Sequence, residues 1–128
     1  EEALEAAKKN MKKVQSEYKV PGEAIFMCQD IRDFKEKAEL VVENPPFGVK
    51  NRHADKEFLK KAFEIGKVVY SFHKTESKAF IGKFSAENGF KVTNVWDFDF
   101  PLKATMAFHS RRIKRIKVSC FRMEKKSC

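Results

Sequence analysis

Leu40-Val41-Val42-Glu43-Asn44-Pro45-Pro46-Phe47 decides how the rest of this chain is read. The apolar run predicts a strand. It must stop at the two prolines, because proline has no N–H to give to a ladder. A residue before proline is held extended. That applies twice here, to Asn44 and to Pro45. The result is a stiff loop whose carbonyls point in fixed directions, with few N–H groups nearby to occupy them. Directly after a buried strand is where open α/β sheets place their ligands. Such a loop suits a site that accepts hydrogen bonds from an NH2 group.

Upstream, Phe34 to Glu39 is a polar connection, and Ala24 to Cys28 reads as a short buried strand with Asp30 beyond its carboxyl end. Before it, Ala3, Leu4, Ala7, Met11, Val14 and Tyr18 recur at helical spacing, and Pro21-Gly22 ends that helix. Downstream, a loop from Phe47 to His53 leads into a helix over about Ala54–Ile65, with Phe58, Leu59, Ala62, Phe63 and Ile65 inward. Val68–Phe72 is a third strand. Thr75 is the expected N-cap of a helix running to about Asn88, and Gly89 its C-cap. Phe90, Val92, Trp96, Phe98 and Phe100 then alternate with Lys91, Thr93, Asp97 and Asp99 in one long two-faced strand. Ile113–Met123 is the last strand, with Ile116, Val118 and Cys120 on one face. Strands separated by helices predict parallel units, and two final strands without a helix between them predict an antiparallel pair. The fold class is α/β: an open, mostly parallel sheet with an antiparallel C-terminal edge.

The chain has 128 residues, enough for one domain. Its net charge is +9, with a pI near 9.5, which favours a polyanionic partner. Thirteen Phe are more than a core of this size needs, so some rings are expected on a functional surface. Cys28, Cys120 and Cys128 are odd in number and widely spaced, which argues against a disulfide framework or a zinc site. No apolar run is long enough to cross a bilayer and no signal peptide is expected, so a cytoplasmic setting is expected.

An adenine amino group is a poor nucleophile because its lone pair is delocalised into the ring. If the Asn44 side-chain oxygen and the Pro45 carbonyl each accept one of its hydrogens, the nitrogen moves towards tetrahedral geometry. The lone pair is then free to attack a methyl group in line. Phe47 offers a face for the base, and positioning supplies most of the rate.

At this point the chain resembles a known family. Asn44-Pro45-Pro46-Phe47-Gly48, Lys50-Asn51, Asp55-Lys56-Glu57-Phe58-Leu59, Val69-Tyr70-Ser71-Phe72-His73-Lys74 and Phe108-His109-Ser110-Arg111-Arg112 are similar to blocks of the small adenine-N6 methyltransferases of ribosomal RNA. The resemblance spans essentially the whole chain. It implies a Rossmann-like fold, S-adenosylmethionine as methyl donor, an rRNA adenosine as substrate, and a small zinc-binding activator protein as partner. It also implies that Asp30 accepts from the cofactor's adenine amino group, that Ile31 packs on the adenine ring, and that Asn44 also touches the cofactor. The family's glycine-rich cofactor loop and its ribose-holding acid have no counterpart in this sequence. Residues 1–128 are therefore expected to be the C-terminal two-thirds of a single methyltransferase domain. The two missing strands would lie between the Ala24 strand and the Leu40 strand.

His73 and Lys74, at a strand end on the same sheet edge as the proline loop, are expected to contact RNA. Phe108, His109, Arg111 and Arg112, in the densest basic stretch, combine charge with an aromatic ring and suit phosphate neutralisation with base stacking. A Ser–His nucleophile pair is not expected: Ser71 and His73 are placed on opposite faces, and no nucleophile elbow is present. No two of the three His have metal-ligand spacing. Alternatives are a DNA adenine methyltransferase, a protein glutamine methyltransferase, and a relative that binds RNA without catalysis.

Overall fold

The computed structural model describes residues 2–19, 21–46, 54–102 and 114–127. The chain divides into two compact units, Glu1–Phe34 and Lys35–Cys128.

In the first unit, helix α1 spans Glu2–Glu17. Leu4, Ala7 and Met11 are half-buried along the predicted stripe, and no residue of the helix is fully buried. The expected strand over Ala24–Cys28 does not form. That segment takes up no regular secondary structure, with Ile25 79% exposed. A strand exists only with a partner that takes up its backbone groups, and no strand of the described residues pairs with this run.

The second unit is a four-stranded sheet with two helices. Strand β1 is Ala38–Glu43, helix α2 Ala54–Ile65, β2 Gly66–Lys74, α3 Lys78–Glu87, β3 Phe90–Leu102 and β4 Lys114–Lys125. The strand order is β1-β2-β4-β3. β1 runs parallel to β2, with Glu43 opposite Ser71. β4 is antiparallel to both of its neighbours, with Phe72 and Trp96 flanking Cys120. The expected C-terminal antiparallel pair thus forms one edge of the sheet, with β4 as its inner member.

Leu59, Ala62, Phe63, Val69, Ile81, Phe84, Phe90, Phe121 and Met123 form the core, with Val41 and Val92 packed against it. Phe63 stacks on Phe90 at 4.4 Å between ring centroids. Gly66 lets α2 turn straight into β2. A Cβ there would meet Val41 Cγ2 at 2.8 Å, with the carbonyl oxygens of Val68 and Ala62 at 3.3 and 3.4 Å. Gly66→Ala is therefore expected to lower stability by about 1–3 kcal/mol, read as a lower urea midpoint at unchanged slope.

Two expectations are corrected here. Thr75 does not N-cap α3. It opens a 3-10 turn, Thr75–Ser77, and its hydroxyl bonds the Ser119 hydroxyl at 2.8 Å, a cross-element contact that took precedence over the local cap. Nor do the aromatic residues of β3 share one face. The register shifts between Val92 and Asn94, and one inserted residue exchanges the two faces of a strand. Phe90 and Val92 thus point to the helices. Trp96, Phe98 and Phe100 point to the other face, where Trp96 stacks on Tyr70 and Phe98 lies against Phe72. Gly89, with φ +76°, takes the left-handed position after α3, as expected of a C-cap glycine.

Candidate active site at the carboxyl edge of the sheet

The carboxyl ends of β1 and β2 lie side by side, and the carboxyl end of β3 meets the amino end of β4 on the same edge, Leu102 opposite Lys114. The proline loop leaves β1 here. Pro45 is buried, while Asn44 and Pro46 on either side of it are exposed. A buried ring between two exposed neighbours anchors the loop and leaves the Asn44 amide at the surface. Phe47 lies outside the described residues, as do Phe108, His109, Arg111 and Arg112. The strands that flank residues 103–113 both end at this edge.

Lys74 closes β2 and, with Thr75, Glu76, Ile116 and Lys117, lines a cavity of about 450 Å³. Two ammonium groups against one carboxylate make this an anion-favouring recess. His73 is different. Its side chain is 1% exposed, which removes the ring from the RNA contact expected of it. Successive strand residues alternate faces, so Lys74 opens outward and His73 turns inward.

The ring turns towards Ser71. Residues two apart on a strand share a face, so the expectation that Ser71 and His73 face apart is wrong. Ser71 Oγ lies 2.7 Å from His73 Nε2 and donates to Glu43 Oε1 at 2.9 Å. On the other side of the ring, Asp55 Oδ2 of α2 stands 3.8 Å from Nδ1, which makes no hydrogen bond. Burial pushes the Glu43 carboxyl up to about 7, against the pull of the Ser71 bond. Burial pulls the His73 imidazole down to about 4, and Asp55 offsets part of that. Glu43, Ser71 and Asp55 were missed as site residues. The available signal was a carboxylate next to Asn44 on an apolar strand, together with a Ser and a His two apart on the next one.

These two shifts act oppositely on stability. Glu43 contributes fully below its ordinary 4.5, and its contribution is lost as pH rises through about 7. His73 contributes fully above 6.5, and its contribution is lost as pH falls through about 4. Between 4.5 and 6.5 they cancel. Glu43→Gln leaves only the histidine effect, so its stability relative to the parent should fall on acidification from 6.5, by up to about 1.4 kcal/mol per pH unit. Urea titrations of both proteins across this range check it, and parallel curves would refute it.

No protein-family model matches the chain. It is 35% identical over 136 residues to an uncharacterised protein of Methanocaldococcus jannaschii, covering 97% of this chain and 59% of that protein. It is 35% identical over 88 residues to the rRNA N(6)-adenosine-methyltransferase Mettl5 of Drosophila melanogaster, covering 67% of this chain and 41% of that one. The fold of a proposed RNA methyltransferase from Pyrococcus horikoshii superposes with a TM-score of 0.67 at 42% identity, covering 77% of this chain and 49% of the other. The chain is similar to the small RNA methyltransferases. It spans about half the length of these relatives.

Against that background, the residues assigned to the cofactor belong to the first unit. Asp30 accepts from the Arg32 backbone N–H at 2.8 Å and so caps the 3-10 turn Ile31–Asp33. Its two oxygens also take the Arg32 guanidinium at 3.0 and 2.8 Å, which holds the carboxyl well below the usual carboxylate range. Ile31 is half-buried beside it. This turn is built from Asp30 itself. A carboxylate has about four acceptor positions, so the ionised, exposed group keeps capacity for an amino donor.

Proposed function

We propose that the protein transfers a methyl group from S-adenosylmethionine to the N6 amino group of an adenosine in structured ribosomal RNA. The observation that carries this reading is the exposed Asn44 amide, held by a buried proline at the carboxyl edge of the sheet. Similarity to an rRNA N(6)-adenosine-methyltransferase supports it, as does the net charge of +9.

The cofactor supplies an electrophilic methyl on a sulfonium. The chain's part is to bind, orient and activate. The Asn44 oxygen and the Pro45 carbonyl accept the two amino hydrogens, so that the lone pair turns to the incoming methyl group. Phe47 stacks the base. The nitrogen would gain the methyl group as the S–CH3 bond breaks and a neutral thioether leaves, and would lose one proton to water. Asp30 and Ile31 would hold the cofactor's adenine, and both compact units are read as parts of one methyltransferase domain. Lys74 with Phe108, His109, Arg111 and Arg112 would hold the RNA. A small zinc-binding activator is the proposed protein partner, and the cytoplasm the proposed setting. No helix among the described residues is long and apolar enough to cross a membrane.

Incubation of the full-length protein with labelled cofactor and ribosomal RNA, followed by nucleoside mass spectrometry, tests this. N6-methyladenosine is the expected product. Label on DNA adenine or on protein glutamine would point to the other acceptors, and RNA binding without label to a non-catalytic relative. Replacing Arg111 and Arg112 together with Ala should lower the slope of log affinity against log salt by about 0.7 for each lost single-strand contact. Cofactor affinity should not change, and an unaltered slope would remove the pair from the RNA interface.

A further inference from the structure

We propose that Ser71 and His73 are positioning residues for the proline loop, joining Glu43 on its entry side to Asp55 on its exit side through one chain of polar contacts. The proposal rests on the reading of Asn44 as the amine acceptor. Glu43 immediately precedes Asn44, and Asp55 is the second residue of α2, the helix that follows the loop. Both carboxylates reach the same pair on β2, Glu43 through Ser71 at 2.9 Å and Asp55 beside His73 Nδ1 at 3.8 Å. The pair itself is closed at 2.7 Å and fully buried. β4 walls this pocket with the ring of Phe121, set edge-on to the imidazole at 5.9 Å.

Counting protons gives the chain two directions. A serine hydroxyl has one proton, and a neutral imidazole has one donor and one acceptor nitrogen. With Glu43 protonated, its O–H donates to Ser71, Ser71 donates to His73 Nε2, and Nδ1–H points at the Asp55 carboxylate. Every group then has a partner, and Asp55 is drawn in. With Glu43 ionised, one proton has gone to water. Ser71 now donates to Glu43, and the imidazole proton sits on Nε2 to donate to Ser71. Nδ1 then presents a bare lone pair to a carboxylate, which is unfavourable. At 3.8 Å from Nδ1, Asp55 stands close enough to be drawn in by the first arrangement and released by the second. The charge state of Glu43, poised by burial near neutrality, is thereby transmitted from the entry side of the loop to the amino end of α2.

Nitrogen-15 NMR of the histidine side chain in the full chain, from pH 5.5 to 8.5, tests the relay. His73 should carry its proton on Nδ1 below about 7 and on Nε2 above it. The Asn44 backbone amide should shift with the same midpoint. Glu43→Gln, whose carboxamide always has a proton to donate, should hold the first tautomer throughout. Ser71→Ala should uncouple Asn44 from the titration. One tautomer across the range in the parent protein, or an Asn44 response that survives Ser71→Ala, overturns the proposal. In the methyl-transfer assay, Ser71→Ala should lower kcat by about tenfold with KM for RNA unchanged, and Ser71→Thr should restore it. A parent protein that switches tautomer but transfers no methyl overturns the methyltransferase reading alone. An active parent with no switch overturns the relay alone.

Discussion

Asn44→Ala is expected to lower methyl transfer by the full-length protein by at least about 100-fold, a loss of more than about 2–3 kcal/mol of barrier stabilisation. The magnitude follows from where the amide acts. The amino nitrogen gains positive charge as it takes the methyl group, so its N–H bond to the Asn44 oxygen strengthens most on the way to the transition state. The loss should therefore appear in kcat, with KM for RNA little changed. The fold should survive. Asn44 is exposed, the anchoring ring belongs to Pro45, and alanine before proline stays extended. Asn44→Asp keeps an acceptor oxygen at the same position and should retain part of the activity. Turnover of the Ala variant within about threefold of the parent would remove the proline loop from the mechanism.

The loop was legible because proline states its own constraints locally. Asn44-Pro45-Pro46 ends a strand whatever surrounds it, and α2 follows with its predicted bounds, Ala54–Ile65. Gly89 was legible for the same reason, since a left-handed φ after a helix calls for glycine. What failed was whatever depends on partners distant in sequence. Ala24–Cys28 has the composition of a strand, but pairing is a property of two segments. Thr75 has the residue type of a cap, but a hydroxyl 44 positions away, on Ser119, was a competing partner. The stripe on β3 was misread because one inserted residue near Thr93 exchanges faces, and nothing in the alternation itself reveals it.

The site shows the same division. Asn44 is proposed from chemistry alone, because an acceptor in a rigid loop after a strand suits an NH2 donor, and the structure leaves it exposed. His73 was assigned to the surface because polar residues at strand ends usually lie there. Its burial depends on Ser71 and Glu43, whose carboxyl is kept largely protonated at mildly acid pH by the same pocket. Phe121 closes the pocket towards the core, and the pleat of β2 turns His73 to meet it.

Phe121→Ala should accordingly have the largest effect on stability. Phe121 is 1% exposed, belongs to the core and stands opposite both Ser71 and Val95 in the sheet. Truncation of a buried Phe costs about 3–5 kcal/mol in lost transfer energy and residual cavity. That is a large share of the roughly 5–15 kcal/mol available to a domain. The cavity would open against a polar imidazole, so water can enter it and find a partner in Nδ1. Rehydration weakens the burial that holds His73 near 4, and its titration should move up towards the ordinary 6.5. Phe121→Leu keeps most of the volume and should cost less than about 1.5 kcal/mol, which leaves a folded comparison if the alanine variant is too unstable to study. Urea unfolding with NMR titration of His73 in both variants reads the two effects together. A loss below about 1 kcal/mol in Phe121→Ala, or an unmoved His73 titration in a folded variant, would show that this ring does not set the environment of the relay.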